Sequence, residues 1–177
     1  TFVANDEVLF NDDAQNKTVK IDGELYPSVV RVDNSDAAYT FNGTGAIIGT
    51  AKFIKEGTGT VSMTGENSYT GGNELKGGVV RVTKLSNQYS ATGNLGGIST
   101  AGKFTMENGA VLQTSGNVQQ GSPMKMVGTE GGVINNANDF VMDGAFSGTK
   151  LTKKGAGWLK TGVAGSLATF VVSQGVV

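Results

Sequence analysis

The pattern in this sequence that is best suited to bind a ligand is a tryptophan followed two residues later by a lysine. Trp158 and Lys160 lie in the run GAGWLKTG, in which Leu159 is expected to face a core. Because side chains alternate along a strand, Trp158 and Lys160 then share the outward face. An indole on a flat strand surface is suited to stack on a sugar ring, so the pair predicts glycan contact. The alternative is that Trp158 packs against a loop or a neighbouring domain.

Two tyrosines complete the set of candidate contact residues. Tyr89 lies in the longest loop of the pattern, Lys84 to Gly97, where the strand pattern does not require a tyrosine, and such loop positions often bind ligands. Tyr69 lies in the turn-rich run GENSYTGG, where a structural role competes with ligand contact. The sequence therefore predicts Trp158, Tyr89, Lys160 and Tyr69 as glycan-contacting residues, and it predicts no catalytic or metal-binding residue.

Acidic residues are present, but their spacing does not predict catalysis. Glycoside hydrolysis needs two carboxylates that face each other across the sugar, about 5 to 9.5 Å apart. Asp139 and Asp143 are on one side of a strand, and Asp33 and Asp36 share a loop close to Arg31, without a recognisable partner for either pair. The chain also has no histidine, which is the commonest general base. A polysaccharide lyase or glycosidase fragment is therefore the least favoured function.

The acidic residues near the N-terminus are candidate calcium ligands. Asp6, Glu7, Asp12 and Asp13 lie at or before the polar bend NDDAQNK, but without the oxygen spacing of an EF-hand loop. A solvated turn is the favoured interpretation. The sequence predicts no cofactor and leaves a structural calcium ion open.

Composition limits the class of protein. The chain has 177 residues, 28 of them glycine, with no cysteine and a net charge of −1, whereas average usage gives about 12 glycines. Many short strands joined by tight glycine turns account for this excess. The balanced charge argues against a nucleic-acid partner, and no apolar run reaches the roughly 20 residues of a membrane span. The lack of cysteine excludes a disulfide scaffold and thiolate metal sites.

The stretch from Gly57 to Val82 combines strand alternation with glycine corners. Val61 and Met63 alternate with polar residues, the loop GENSYTGG follows, and two short strands broken by Gly77-Gly78 complete the stretch. Strand, loop, strand, corner and strand make one coil of a solenoid. Such a coil buries its apolar face only against neighbouring coils.

This stretch resembles the strand repeat associated with autotransporter passengers, whose consensus runs roughly Gly-x-Gly-x-Leu-x-Leu-x-Gly-x-Asn-x-Tyr-Thr-Gly-Gly and ends in a Gly-Gly corner. The matching positions are Gly57, Gly59, Val61, Met63, Gly65, Asn67, Tyr69, Thr70, Gly71, Gly72, Gly77 and Gly78. The resemblance implies a right-handed parallel β-helix and a secreted or cell-surface bacterial protein. It does not imply a particular activity, because such repeats occur in adhesins, toxin stalks and glycan-processing proteins.

Recurrent corners in the rest of the chain support a solenoid. Residues 148–162 resemble residues 49–65, so that Lys153 aligns with Lys55 and Leu159 with Val61, and a Lys-x-Gly-x-Gly corner is built twice. Looser corners recur at Gly77, Gly109, Gly131 and Gly175, which predicts a rung of about 22 residues and about 8 rungs. The predicted inward positions are Val61, Met63, Val79 or Val80, Phe104, Met106, Val111, Met124, Met126, Val133, Phe140, Met142, Leu151, Leu159, Phe170 and Val172.

The sequence therefore predicts one all-β domain over residues 1–177, folded as a right-handed parallel β-helix. Because the chain starts at Thr1 without a methionine, we expect it to be a fragment of a larger secreted protein. The favoured function is a non-catalytic module that binds polysaccharide or mediates adhesion, and the alternative is a structural stalk or passenger spacer that presents another domain. The expected partners are a polysaccharide or cell-surface glycan and further domains of the same chain, without nucleic acid or membrane insertion.

Overall fold

The computed structural model describes residues 3–98 and 104–177, which form a parallel β-helix of about seven turns. Each turn, or rung, places short strands on up to three faces, since rungs 3 and 4 have no described strand on the third. Every pairing between the strands named below is parallel. The all-β parallel architecture predicted from the sequence is confirmed. Among the described residues, no helix is long and apolar enough to cross a bilayer.

The three faces are built in the same order in every rung, and rungs are numbered here from the N-terminus. The first face consists of β1 (Glu7–Asn11), β4 (Val29–Asp33), β7 (Lys52–Glu56), β9 (Asn73–Leu75), β11 (Phe104–Glu107), β14 (Met124–Val127) and the start of β17 (Phe146–Lys154). The second face consists of β2 (Thr18–Ile21), β5 (Tyr39–Gly43), β8 (Thr60–Met63), β10 (Val79–Val82), β12 (Ala110–Thr114), β15 (Gly132–Asn136) and the end of β17. The third face contains β3 (Glu24–Leu25), β6 (Ala46–Ile47), β13 (Val118–Gln120), β16 (Phe140–Met142) and β18 (Leu159–Thr161), and β19 (Ser166–Val172) begins an eighth rung by pairing with β17.

Strand register sets the length of a rung. Glu7 pairs with Val29 and Val29 pairs with Lys52, which are offsets of 22 and 23 residues. Asn73 pairs with Phe104, an offset of 31 residues, because the loop within residues 84–97 is inserted in rung 4. The predicted rung of about 22 residues and the position of the long loop are confirmed. The number of complete rungs is about seven, with the eighth begun by β19, instead of the predicted eight.

The core is a column of inward side chains stacked from rung to rung. The predicted inward residues that belong to the core cluster are Val61, Met63, Val80, Phe104, Met106, Met124, Met126, Phe140, Met142, Leu151 and Leu159. Val80 is thus the inward member of the pair left open by the sequence. All five methionines lie in this core, so they fill space between rungs and form no exposed methionine surface.

Two strands have the opposite face inward from the one predicted. In β12 the core residues are Ala110 and Leu112, and Val111 is only half-buried. In β15 the core residue is Ile134, although its neighbour Val133 is also shielded from solvent. Since side chains alternate, an error of one residue at the glycine corner exchanges the two faces of the strand that follows.

The last predicted core residues have the inward register but are not covered. Phe170 pairs with Leu151 and Val172 pairs with Lys153, both of which are buried residues of rung 7. Phe170 is nevertheless 42% exposed, because no described rung stacks on β19. The prediction of burial was wrong at these two positions, since a coil is covered only where both neighbours are present.

A lysine is buried inside the corner between the first and second faces in rung 3. The Lys55 side chain is 0% exposed. Its Nζ donates hydrogen bonds to the main-chain oxygens of Asn34 (3.5 Å), Gly57 (3.2 Å) and Glu56. In the next rung Gly78 lies against this ammonium, since an added Cβ would be 2.9 Å from Lys55 Nζ. The ammonium is therefore satisfied by the carbonyls of the corner that its own Lys-x-Gly-x-Gly motif builds.

The same arrangement recurs around Lys153 in rung 7. Lys153 is also 0% exposed, and an added Cβ at Gly175 would be 2.6 Å from its Nζ. The carbonyl oxygens that accept from Lys153 Nζ belong to Lys154 (2.8 Å), Gly155 (2.8 Å) and Gln174 (3.2 Å). The predicted second copy of the corner is confirmed.

The two corners also share a buried asparagine in the preceding rung. Asn34 Nδ2 donates to the carbonyl of Thr60 at 3.1 Å, and Asn136 Nδ2 donates to the carbonyl of Trp158 at 2.8 Å. We call this set of one asparagine, one lysine and one glycine from three successive rungs the Asn–Lys–Gly corner. Its copies occupy different edges of the solenoid, because Lys55 ends a first-face strand, whereas Lys153 pairs with Ile134 on the second face.

Burial of Lys55 predicts a specific pH dependence of stability. Burial lowers the pKa of Lys55 from 10.5 to about 8, and it also lowers the pKa of Lys153. Between pH 8 and 10.5 the unfolded chain therefore binds more protons than the folded chain, so the free energy of unfolding rises with pH, by up to about 1.4 kcal/mol per pH unit for one group. Urea unfolding at a series of pH values measures this slope.

Substitution of Lys55 by methionine is expected to reduce the slope, because the titrating group is removed. Lys52→Met is the control, since Lys52 lies on the same strand but is partly exposed and paired with Glu74 at 2.8 Å. An unchanged slope in Lys55→Met would show that Lys55 is not the group responsible.

Candidate binding groove on the third face

A groove of about 410 Å³ crosses three rungs on the third face. Its lining residues come from the inserted loop of rung 4 and from the third-face segments of rungs 5 and 6, and they are Lys84, Leu85, Asn87, Asn117, Val118, Gln119, Asp139 and Val141. Amides and charged groups dominate the accessible part of the groove. The long axis of the groove follows the solenoid axis, because each rung contributes in turn.

Strand register explains why these side chains face solvent. Gln119 pairs with Val141, and Val141 pairs with Lys160, so the three lie in one outward row. The neighbouring row of Val118, Phe140 and Leu159 is buried in the core. Alternation along the third-face strands therefore presents Gln119, Val141 and Lys160 to the exterior.

The charged side chains of the groove are paired. Lys160 Nζ lies 2.5 Å from Asp139 Oδ2, and Lys84 Nζ lies 2.8 Å from Glu66 Oε1. The hydrogen bond from Lys84, helped by one from Thr92, lowers the pKa of Glu66. Lys84 and Asp139 are the only charged residues among the described residues that line the groove, and each has a partner of opposite charge. The groove is therefore close to electrically balanced.

Trp158 lies beside the groove in rung 7. Its main-chain carbonyl accepts a hydrogen bond from Phe140 N at 2.8 Å. Phe140 directly follows the groove residue Asp139, so Trp158 lies next to the rung 6 end of the groove lining. The side chain is 46% exposed, whereas Leu159 is buried. The predicted outward orientation of Trp158 is confirmed, and Lys160 is exposed on the same face. Contact of either residue with a glycan stays a prediction.

Tyr89 lies in the inserted loop of rung 4, two residues after Asn87, which lines the groove. It is 80% exposed, and its main-chain N–H donates to Asn87 Oδ1 at 2.8 Å. The loop is closed by main-chain hydrogen bonds of 2.9 and 3.0 Å between Asn87 and Ser90. Tyr89 is therefore an exposed aromatic residue in the loop that contributes one wall of the groove.

Residues 53–82, which contribute β7 to β10, match the family model described as the passenger-associated-transport-repeat. Over 150 residues, or 81% of its length, the chain is 27% identical to the adhesin BmaC autotransporter of Brucella suis biovar 1 (strain 1330). It spans only 4% of the length of that relative. No solved structure gives a significant match to the chain.

The tyrosine of the passenger-associated-transport-repeat is a core residue. Tyr69 is 2% exposed, and its hydroxyl donates to Asn73 Oδ1 at 2.8 Å. Burial raises the pKa of Tyr69 well above 10. The inclusion of Tyr69 among the glycan-contacting residues is therefore corrected, because its ring is not accessible. Its structural role, which was the competing interpretation, follows from this hydrogen bond.

Asparagines of the repeat join successive rungs through hydrogen bonds inside the solenoid. Asn67 Oδ1 accepts from Ile47 N of the rung before, and Asn67 Nδ2 donates to Asn94 O of the rung after, both at 2.8 Å. Asn73 Nδ2 donates to Leu95 O at 3.1 Å. The repeat thereby fixes the stem of the inserted loop, and through it one wall of the groove.

Two of the charged residues that the sequence singled out around its acidic pairs, Asp139 and Arg31, are engaged in ion pairs. Asp139 is paired with Lys160. The Arg31 guanidinium forms ion pairs on the first face with Glu7 at 3.0 Å and with Glu56 at 2.9 Å.

The Asp12 carboxylate, near the N-terminus, accepts hydrogen bonds from the main chain of the next rung. Its carboxylate accepts N–H groups of Ser35 (2.9 Å) and Asp36 (3.3 Å), which lower its pKa. Over residues 3–98 and 104–177, no three acidic residues are grouped as a metal site. A structural calcium ion, which the sequence left open beside the favoured solvated turn, stays untested.

Sequence reasoning missed the amide residues of the groove. Asn117 and Asp139 occupy equivalent positions one rung apart, and Asp139 N donates to Asn117 Oδ1 at 3.2 Å. A search for polar residues separated by one rung length would have found this pair. Recurrence at one rung length could not have found Lys84 and Asn87, because they lie in the inserted loop, which has no counterpart in another rung.

A larger groove of about 540 Å³ lies between the third and first faces. The described residues that line it are Ser28, Val29, Thr50, Lys52, Thr70, Gly71, Glu74 and Thr105. Its charged residues Lys52 and Glu74 pair with each other at 2.8 Å. The third-face groove is the better candidate site for a sugar because three amide side chains line it, whereas, among the described residues, no amide side chain lines the larger groove.

Proposed function

We propose that the chain is a non-catalytic segment of a secreted or surface-displayed bacterial protein, and that it mediates adhesion by binding polysaccharide in the third-face groove. The observation that supports this function best is a polar groove with one exposed aromatic residue in the loop that lines it and another in the rung that follows its last lining residues. Tyr89 lies in rung 4 and Trp158 in rung 7, so about three rung spacings, roughly 14 Å, separate them along the axis.

The chemistry of the groove suits a chain of sugar rings. Aromatic faces stack on the apolar faces of sugars, and amides offer both donors and acceptors to hydroxyl groups. Asn87, Asn117 and Gln119 supply these amides between the two rings. Similarity to the adhesin BmaC autotransporter supports an adhesive role for this chain as well.

Removal of the indole is the direct test. We expect Trp158→Ala to weaken binding to a retained polysaccharide by about tenfold or more, because loss of a tryptophan that anchors a ligand typically costs about 2 kcal/mol or more, and about 1.4 kcal/mol is tenfold. Affinity electrophoresis against plant and microbial polysaccharides measures the retardation.

Tyr26→Ala is the matched control for the indole variant. Tyr26 is also exposed but lies in rung 1, remote from the groove. If no polysaccharide retards the wild-type chain, the proposed function is wrong and the alternative, a stalk that presents another domain, is favoured. Release of reducing ends from the same panel would instead indicate an enzyme.

A further inference from the structure

The charge pairing of the third-face groove limits the kind of polysaccharide that it accepts. Recognition of carboxylate or sulfate groups on a glycan normally uses cations that are free to bind them, and arginine is the preferred residue. The chain has only two arginines, Arg31 and Arg81. Arg31 is bonded to Glu7 and Glu56, and Arg81 Nε donates to Gln113 at 3.0 Å on the second face. Neither arginine lines the groove.

The lysines at the groove are also engaged. Lys160 is 2.5 Å from Asp139, and Lys84 is 2.8 Å from Glu66. An anionic sugar that bound either ammonium would have to compete with a carboxylate already in place, and it would lie near two negative groups. An uncharged sugar meets no such cost, because its hydroxyls bond to the amides and to the outer edges of the ion pairs.

We infer that the groove binds an uncharged polysaccharide, in an extended conformation along the solenoid axis. This inference rests on the proposed function. The polar contacts come from three successive rungs: Asn87 in rung 4, Asn117 and Gln119 in rung 5, and Asp139 in rung 6. Since rungs are about 4.8 Å apart, an extended sugar chain meets a fresh set of hydrogen-bonding groups at each rung. The two aromatic residues then hold its ends.

Binding to polysaccharides that differ only in charge tests the inference. The probes are hydroxyethylcellulose and carboxymethylcellulose, methyl-esterified and de-esterified homogalacturonan, and dextran and dextran sulfate, each immobilised for biolayer interferometry. We expect binding to at least one uncharged member, weaker binding to its charged counterpart, and little change between about 50 and 500 mM NaCl, because exposed charge contacts are screened over this range whereas stacking is not.

A variant that unbalances the groove makes the test sharper. Asp139→Asn keeps the shape of the side chain but releases the Lys160 ammonium. We expect this variant to bind the charged counterpart up to about fivefold more tightly than the wild-type chain does, in a salt-sensitive manner. Lys160→Gln, which removes the ammonium itself, is the control and is not expected to show the gain.

The outcomes separate the two proposals. Binding only to the anionic probes, with affinity that falls as salt rises, would overturn the inference of an uncharged ligand and leave the polysaccharide groove intact. Absence of binding to every probe would overturn both the inference and the proposed function.

Discussion

Replacement of Gly78 by alanine is expected to lower the free energy of unfolding by about 4 kcal/mol, from backbone strain and from overpacking. Gly78 has a φ of +65°, and a Cβ there would lie 2.3 Å from the carbonyl oxygen of Gly59 and 2.9 Å from Lys55 Nζ. Backbone atoms of the adjacent rung cannot move aside without breaking the parallel pairing of β8 and β10. The Asn–Lys–Gly corner would therefore be forced open.

Urea unfolding followed by far-UV circular dichroism measures this loss, and the single tryptophan gives a second probe in rung 7. Gly128→Ala is the matched control, because Gly128 has a similar φ of +72° but no atom within 4 Å of an added Cβ. That control is expected to lose only the backbone cost of about 1 to 2 kcal/mol. Equal losses in the two variants would show that the corner does not exclude a side chain.

Replacement of Phe140 by alanine is expected to cost about 3 to 5 kcal/mol, as for other fully buried phenylalanines. Phe140 is 0% exposed and lies in register between Val118 and Leu159 in the middle of the third face. Its removal leaves a cavity that rungs on both sides border. The midpoint of urea unfolding reports the loss.

Phe170→Ala provides the comparison within the same chain. Phe170 is 42% exposed at the C-terminal end of the described solenoid, so we expect a loss below about 1.5 kcal/mol, which scales with its smaller buried area. A loss as large as that of Phe140→Ala would indicate that the end of the solenoid is covered in solution. Sedimentation at several protein concentrations would then identify self-association as the cause.

The architecture was predictable from the sequence because its determinants are local. Corners are marked by Gly57, Gly59, Gly77 and Gly78, and the inward face is marked by the alternation of Val61 and Met63. The pattern of one coil is therefore sufficient to predict how neighbouring coils stack on it. The rung length followed from the spacing of corner glycines. Errors appeared where a corner used one residue more than expected, as before β12, because alternation transmits that error to the whole strand.

The candidate site was less predictable because it depends on residues from several rungs. The outward positions of Trp158 and Lys160 followed from alternation around Leu159. The groove itself, however, is formed where the inserted loop of rung 4 meets rungs 5 and 6, and no local pattern specifies that meeting. Tyr69 shows the same limit: its loop left ligand contact and a structural role in competition, and its burial and its hydrogen bond to Asn73 establish the structural role.

The Asn–Lys–Gly corner influences which coils stack next to each other. Each ammonium bonds two carbonyls of its own coil and one carbonyl of a neighbouring coil. That neighbour is the preceding coil for Lys55, through Asn34, and the following coil for Lys153, through Gln174. A coil displaced along the axis would take one of three acceptors from a buried positive charge, a polar cost that a displaced leucine does not carry. The buried lysines thus favour the native order of the coils over a displaced stack.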